Sequence, residues 1–433
     1  MTRLRFDRQL TIDFSWLLSG NVIYSACQWC IVLFLAKLGT PEQVGRYALG
    51  MALCAPIILF ANLQVRTLLA SDVREEFRFG QYLAFRLVSM GLALAVIGTV
   101  AAWSATDWPR RSVILLVGFA QVLEYVSDTY YGLMQKYDRM DRLSRSLMFK
   151  GPLALAALGA TMYITRNVAW AVLSLALGRL FILLTWDSRL AYTKKTPHQL
   201  GARMEWNHAD MLRLLRTALP LGFISMLAAL STNIPRYFIE AHLGTSDLGI
   251  YSAIASLIAA GALVVSAFGQ SIMVPAAKAC SDGNRSAFRM IVLQVVALGA
   301  VLGTGAVLVA ALFGRDLLAL VLRREYAEHA DVFVWLMLAG AVGFVASGLG
   351  YVMTAARFLN PQIPLLVVNC LTTVGTSAWF IPEHGLRGAA EALLAASLVQ
   401  LAGSAVILRR IDKGLTVAAS SATVGELAGA QLR

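Results

Sequence analysis

Residues 290–314 read MIVLQVVALGAVLGTGAVLVAALFG and contain no charged side chain. Residues 332–356 form a second uncharged, apolar run. A helix needs about 20 apolar residues to cross roughly 30 Å of hydrocarbon, where only helices or closed barrels satisfy their backbone. Barrel strands alternate at period two over about ten residues, whereas these runs are longer and uniformly apolar. The two runs therefore predict membrane-spanning helices.

The composition of the whole chain agrees with this interpretation. The 433 residues are 58% hydrophobic and 14% charged, whereas soluble domains carry about 25% charged residues. The net charge of +12 does not indicate nucleic-acid binding, because Lys and Arg lie mainly in short segments between apolar runs, as in membrane proteins. No phosphate-binding loop, zinc-ligand spacing or nucleotide fingerprint occurs. We expect an all-α integral membrane protein.

The apolar runs predict about 12 transmembrane helices. Gly299 and Gly303 in the ninth predict close helix packing. The predicted spans are 14–38, 42–65, 81–105, 112–135, 146–165, 168–188, 217–241, 246–274, 288–313, 331–356, 363–381 and 388–408.

Basic residues are concentrated in alternate loops, and this bias places both termini in the cytoplasm. The longest loop separates six spans from six, and its end, 206–216, is predicted to form a short interfacial helix. The predicted organisation is a cytoplasmic N-terminus (1–13), an N-lobe of spans 1–6 (14–188), a cytoplasmic linker (189–216), a C-lobe of spans 7–12 (217–408) and a cytoplasmic tail (409–433).

An internal repeat supports the division into six spans plus six. Residues 38–48 read LGTPEQVGRYA and residues 243–252 read LGTSDLGIYS, with Gly45 matching Gly249. These segments lie at equivalent hairpins of the two halves, which favours duplication over a chance turn. Two similar halves that rock about a central site are a common transporter plan.

The second half resembles a known family. The motifs are Leu219-Pro-Leu-Gly222, Asn233-Ile-Pro-Arg-Tyr-Phe-Ile239, Leu248-Gly-Ile-Tyr251 and Phe268-Gly-Gln-Ser271. They are similar to the polysaccharide-transporter family, the O-antigen and capsule flippases of the multidrug/oligosaccharidyl-lipid/polysaccharide exporter superfamily. The resemblance implies a V-shaped, two-lobe transporter in the bacterial inner membrane with a cationic cavity and alternating access. It implies export of an undecaprenyl-pyrophosphate-linked oligosaccharide for O-antigen, capsule or exopolysaccharide synthesis.

Intramembrane cations are candidates for binding the pyrophosphate, because ionisable residues in spans are costly and Arg matches phosphate geometry. For Arg86, Lys150 and Arg236 the alternative is snorkelling to the interface, and for Arg179 it is a buried ion pair. The candidate substrate-binding residues are Arg179, Arg236, Arg86, Arg66, Lys150 and Asn233.

Span four supplies the acidic residues. Its polar residues recur at spacings of three and four, so they line one helical face. Glu124 and Asp128, one turn apart, either neutralise Arg86 or Arg179 or bind a coupling proton or sodium ion. The residues of this polar stripe are Gln121, Glu124, Asp128, Tyr131 and Gln135.

Other functions remain as alternatives. A multidrug or organic-cation antiporter of the same superfamily predicts an acidic cavity, and a peptidoglycan-precursor flippase shares the same plan. A membrane glycan polymerase, ligase or glycosyltransferase needs large outer loops, which this chain lacks, so we expect no enzyme. No metal or cofactor is expected, and transport runs on a coupled ion or on membrane potential alone. The expected partners are the lipid-linked substrate, the bilayer and the polymerase and glycosyltransferases of the same pathway.

Overall fold

The computed structural model describes residues 2–72, 75–104, 107–190, 206–356, 358 and 361–430, and every regular element within them is helical. The chain divides into two compact units, Met1–Ala253 and Ile254–Arg433. The helices that begin before this boundary are α1 (Thr2–Leu38), α2 (Pro41–Asn62), α3 (Val65–Ser71), α4 (Phe79–Ser104), α5 (Trp108–Lys136), α6 (Met140–Thr165), α7 (Val168–Ile182), α8 (Ser188–Leu190), α9 (His208–His242) and α10 (Thr245–Ala255). They are followed by α11 (Ile258–Ser281), α12 (Arg285–Val321), α13 (Arg324–Ala327), α14 (Ala330–Ala355) and α15 (Gln362–Ala430).

Eleven helical segments among the described residues are long and apolar enough to cross a membrane. The last of them, Gln362–Lys413, has 52 residues and therefore extends about 78 Å at 1.5 Å per residue, more than twice a hydrocarbon core. Gly385 breaks this segment with φ 60° and ψ −134°. Two crossings fit here, as the predicted spans 363–381 and 388–408 require. The prediction of an all-α membrane protein with about twelve spans is confirmed.

Two predicted details differ from the structure. Residues 206–216 do not form a separate interfacial helix, because α9 runs unbroken from His208, where the Asn207 side chain accepts a hydrogen bond from the Ala209 amide. The predicted span 246–274 is interrupted after Ala255, where the Leu257 amide bonds to the Ile254 carbonyl in a tighter turn. Within the predicted linker and tail, residues 191–205 and 431–433 lie outside the described part of the chain.

Small residues bring the helices of the first unit close together. A Cβ atom built on Gly20 of α1 would lie 2.8 Å from the Ser144 Cα atom of α6. One built on Gly151 of α6 would lie 3.1 Å from the Cys27 Cβ atom. Membrane helices associate through such close packing because lipid offers no hydrophobic driving force between them. Within the unit, α2 packs against α4, α5 and α9, and α5 packs against α2, α3, α4 and α7.

The second unit shows the same packing at the predicted glycine pair. A Cβ atom on Gly303 of α12 would lie 2.5 Å from the Ala341 Cβ atom, and one on Gly299 would lie 2.8 Å from the Val345 side chain. The predicted role of Gly299 and Gly303 in close packing is therefore confirmed. Asp412 of α15 binds both Arg285 and Arg289 of α12 at 2.8 Å, which joins the first turns of α12 to α15.

Candidate functional site

The polar stripe of span four lies on one face of α5 and contacts three other helices. Its residues reach Arg179 of α7, Lys150 of α6 and Arg66 of α3. All of these contacts lie within the first unit. The predicted stripe thus forms a continuous row of polar contacts, which we call the α5 charge row, defined by Gln121, Glu124, Asp128, Tyr131 and Gln135 with these three cations.

Arg179 is buried at the end of the row that begins with Gln121. Its Nε atom lies 3.3 Å from a Glu124 oxygen, and one terminal nitrogen donates to the Ala120 carbonyl at 2.9 Å and to Gln121 Oε1 at 3.1 Å. The other terminal nitrogen donates to Gln28 Oε1 at 3.3 Å. The side chain also lines a cavity of about 200 Å³. Arg179 therefore has the ion-pair partner that the sequence allowed and also faces an internal space.

Lys150 is fully buried rather than extended toward the interface, because its neighbours supply polar partners. Its Nζ atom lies 3.2 Å from Glu124 Oε1 and 3.1 Å from the Tyr131 hydroxyl. The same nitrogen lies 3.8 Å from Asp187. Glu124 thus bridges Lys150 and Arg179, and one carboxylate is shared between two buried cations.

Asp187 is a member of this cluster that sequence reasoning missed. It follows α7 in a π-helical turn, Leu183–Asp187, and is fully buried. Its oxygens accept hydrogen bonds from the Ser146 hydroxyl and, at 3.4 Å, from the Tyr131 hydroxyl. Because a π turn inserts an extra residue into a helix, it shifts the face on which later side chains lie. An acid beside the predicted end of span six was the one available signal.

Arg66 and Asp128 lie toward the other end of the row, which ends with Gln135. The Arg66 guanidinium lies 3.0 Å from Asp128 Oδ1, donates to Gln135 Oε1 at 3.4 Å and sits over the Tyr131 ring at 5.9 Å. Both side chains are partly exposed, at 27% and 21%. The partner of Asp128 is therefore Arg66, whereas Glu124 is shared by Arg179 and Lys150.

Arg86 of α4 is fully buried between α4, α5 and the end of α2. It therefore does not extend to the membrane interface. Its Nε atom donates to the Thr129 hydroxyl at 2.9 Å, and one terminal nitrogen donates to the Asn62 carbonyl at 3.0 Å. The other terminal nitrogen is buried and has no hydrogen-bond partner among the described residues. Arg86 thus carries its charge against neutral oxygens rather than a bound carboxylate.

Arg236 and Asn233 lie on α9, apart from the α5 charge row. Arg236 donates to the Asn233 side-chain oxygen, and Asn233 donates to the Ala229 carbonyl at 2.8 Å. The next residue, Tyr237, donates to the Ala52 carbonyl of α2. Within the described chain no recorded hydrogen bond or ion pair joins this pair to the row. The structure therefore brings together Arg179, Lys150 and Arg66 but not Arg236 and Asn233.

The row and Arg86 together carry more positive than negative charge. The cations are Arg179, Lys150, Arg66 and Arg86, and the carboxylates near them are those of Glu124, Asp128 and Asp187. Charges held out of water interact far more strongly than exposed ones, so an excess of one positive charge favours an anionic ligand. No group of three or more His, Cys, Asp or Glu residues able to hold a metal occurs in the described part of the chain.

Comparison with known proteins identifies relatives of the whole chain. Residues 10–279 match the model of a family described as polysaccharide biosynthesis protein. The chain is 25% identical over 406 residues to the capsular polysaccharide biosynthesis protein CapF of Staphylococcus aureus, which covers 92% of this chain and 99% of that protein.

Similar folds occur among solved transporters. An inward-facing multidrug resistance MATE family transporter of the MOP superfamily matches with a TM-score of 0.72 and 14% identity over 91% of this chain and 95% of that one. The lipid II flippase MurJ, in an inward closed conformation, matches with a TM-score of 0.70 and 7% identity over 92% and 89%. At these identities the likeness shows a shared fold.

Proposed function

Because this chain belongs to the polysaccharide biosynthesis protein family, we propose that it moves an undecaprenyl-pyrophosphate-linked oligosaccharide from the cytoplasmic to the outer leaflet by alternating access. The family, the capsule-related homologue and the transporter folds support a transporter role. The observation that carries the finer proposal is the α5 charge row, whose cations together with Arg86 outnumber the carboxylates of Glu124, Asp128 and Asp187 by one.

The row suits a pyrophosphate because its cations lie at successive depths. Arg66 is partly exposed beside Asp128, whereas Lys150 and Arg179 are buried beside Glu124, one turn earlier on α5. Arg presents a planar fork of donors that matches phosphate oxygens. Glu124 is shared by Arg179 and Lys150. We expect the pyrophosphate to replace Glu124 as the partner of Arg179 and Lys150. After the substrate leaves, Glu124 pairs with these two cations again.

The excess of positive charge also separates this proposal from the rivals that share the fold. A site for organic cations needs surplus carboxylates, whereas the described cluster has surplus cations. The MurJ fold likewise suits a peptidoglycan precursor, which carries the same kind of headgroup, but the family match and the capsule-related homologue favour a surface polysaccharide. Since the solved proteins of similar fold are transporters and a flippase, we propose no catalytic role.

Energy for export is available without a bound cofactor. A pyrophosphate carries about two negative charges, and moving it outward across an inside-negative membrane releases about 4.6 kcal/mol per 100 mV. Glu124 and Asp128 are the candidates for a coupled proton or sodium ion, and we propose that such coupling supplements the potential. We further propose an inner-membrane location with cytoplasmic termini, and cooperation with a polymerase and glycosyltransferases.

The test is deletion of the gene in its host. Loss of a surface O-antigen, capsule or exopolysaccharide, with its lipid-linked unit trapped on the inner leaflet, is the expected result. Restoration by the wild-type chain controls for effects on neighbouring genes. Normal glycan with no trapped intermediate, in a strain without a second copy of the transporter, would refute the proposal.

A further inference from the structure

The two copies of the internal repeat contact each other directly within the first unit. A Cβ atom built on Gly45 of α2 would lie 1.8 Å from the Thr245 carbonyl oxygen. One built on Gly249 of α10 would lie 1.8 Å from the Pro41 carbonyl oxygen and 2.9 Å from the Gly45 amide nitrogen. In the repeat Gly45 matches Gly249, and Pro41 and Thr245 each precede their glycine by four residues. The contact is therefore reciprocal, and neither glycine position has room for a side chain.

A partly buried polar cluster lies beside this contact. Arg110, at the start of α5, lies 2.9 Å from Glu240 near the end of α9 and donates to the Thr245 hydroxyl at 2.7 Å. The Thr245 hydroxyl donates to Glu240 at 2.9 Å. Thr245 thus takes part in both features, through its carbonyl against Gly45 and its hydroxyl in the cluster.

Both features lie at the loops that the sequence predicts to be outside, 39–41 and 242–245. Further from these loops, Tyr237 of α9 donates a hydrogen bond to the Ala52 carbonyl of α2. The two helices therefore also contact each other inside the predicted spans. A bulky glycan cannot pass between backbones that touch at a glycine. In any transport cycle that releases the glycan outside, these contacts have to separate.

We propose that the paired repeat hairpins form the outer release gate, with Gly45 and Gly249 as its closing contact and Arg110–Glu240–Thr245 as its latch. The proposal rests on the proposed transport cycle and adds the residues that close it. The two parts act differently. The glycines determine how closely the backbones approach, and the latch holds the closed state through a charge pair that water releases when the gate opens.

The gate is tested by the accessibility of a cysteine placed beneath it. Ala48 lies one turn from Gly45 and is 8% exposed. In a variant lacking the five native cysteines and carrying Ala48→Cys, a membrane-impermeant maleimide added from outside reports opening. Gly45→Ala or Gly249→Ala should raise the labelling rate at least tenfold and reduce transport. Gly98→Ala is the matched control, since a Cβ atom there meets nothing within 4 Å.

The latch is tested by exchanging its charges. Arg110→Glu and Glu240→Arg should each increase labelling, and the double exchange should return it to within about twofold of the parent. Joining Arg110→Cys to Glu240→Cys with a short dithiol-reactive linker should stop transport, which checks the gate even if the glycine variants do not accumulate. Labelling equal to that of the Gly98 control, or transport by the linked protein, would overturn the proposal. Labelling that changes as expected while the glycan is unaffected would retain the gate and reject the proposed substrate.

Discussion

Replacing Arg179 by alanine separates two roles that the structure permits for this residue. As an ion-pair partner, Arg179 stabilises Glu124 at 3.3 Å. Breaking a buried pair by removing one member costs about 3–5 kcal/mol. Because Lys150 remains 3.2 Å from Glu124, we expect Arg179→Ala to cost about 3 kcal/mol, near the lower end of that range. If Arg179 only holds Glu124, transport should fall no further than protein abundance falls.

The double variant distinguishes the roles. Arg179→Ala with Glu124→Gln removes both charges of the pair, so most of the lost stability should return. If Arg179 also binds pyrophosphate, transport should stay absent in the double variant, and Arg179→Lys should retain part of it because charge remains without the two-pronged geometry. The measurements are thermal stability of the purified protein and surface glycan in a deletion strain. Recovery of both stability and transport in the double variant would refute a substrate role.

Three further predictions concern the cluster, the helix packing and the topology. Asp187→Asn keeps acceptors for the Ser146 and Tyr131 hydroxyls, so melting experiments should show a loss of at most about 2 kcal/mol. Asp187→Leu removes the acceptor of both hydroxyls and the carboxylate that lies 3.8 Å from Lys150, and it should cost about 3 kcal/mol, because Lys150 keeps Glu124 as a partner. Gly303→Leu should overpack the α12–α14 contact and lower stability by about 1–3 kcal/mol, and Gly305→Leu, where a Cβ atom has no neighbour within 4 Å, should not. A reporter fused at Arg323 should lie on the outer side of the membrane, and one fused at Asp282 should lie on the cytoplasmic side. The reverse pattern would contradict the predicted orientation.

The spans and the face of α5 could be predicted from sequence because both depend on local pattern. An uncharged run of sufficient length has few alternatives to a membrane helix, and spacings of three and four place Glu124 and Asp128 on one face in any α-helix. Arg179 is among the partners predicted for these acids, but Lys150 and Arg66 are not, because those pairs depend on how α6 and α3 pack around α5. Arg86 illustrates this, since its partners are a carbonyl and a hydroxyl rather than an acid.

Departures from regular α-helix are a second feature that could not be predicted from the sequence. The π turn that brings Asp187 inward and the tighter turn after Ala255 leave no composition signal, because neither contains proline or an unusual residue pattern. Both are small changes in backbone hydrogen bonding that neighbouring helices stabilise. The continuity of α9 through residues predicted to be interfacial has a similar origin, as Gln81 of α4 bonds to Asp210 at 2.7 Å.

The α5 charge row also constrains how the chain enters the membrane during synthesis. A charged side chain at the centre of a span opposes insertion by about 2.5–3.5 kcal/mol. Asp128 finds its partner, Arg66, already made, but Lys150 follows Glu124 by 26 residues, which is about 1–5 s of translation at roughly 5–20 residues per second. Arg179 emerges later still. The fourth span therefore enters the translocon carrying an uncompensated carboxylate, and we expect it to stay beside the insertion machinery until the fifth and sixth spans arrive to release it into lipid.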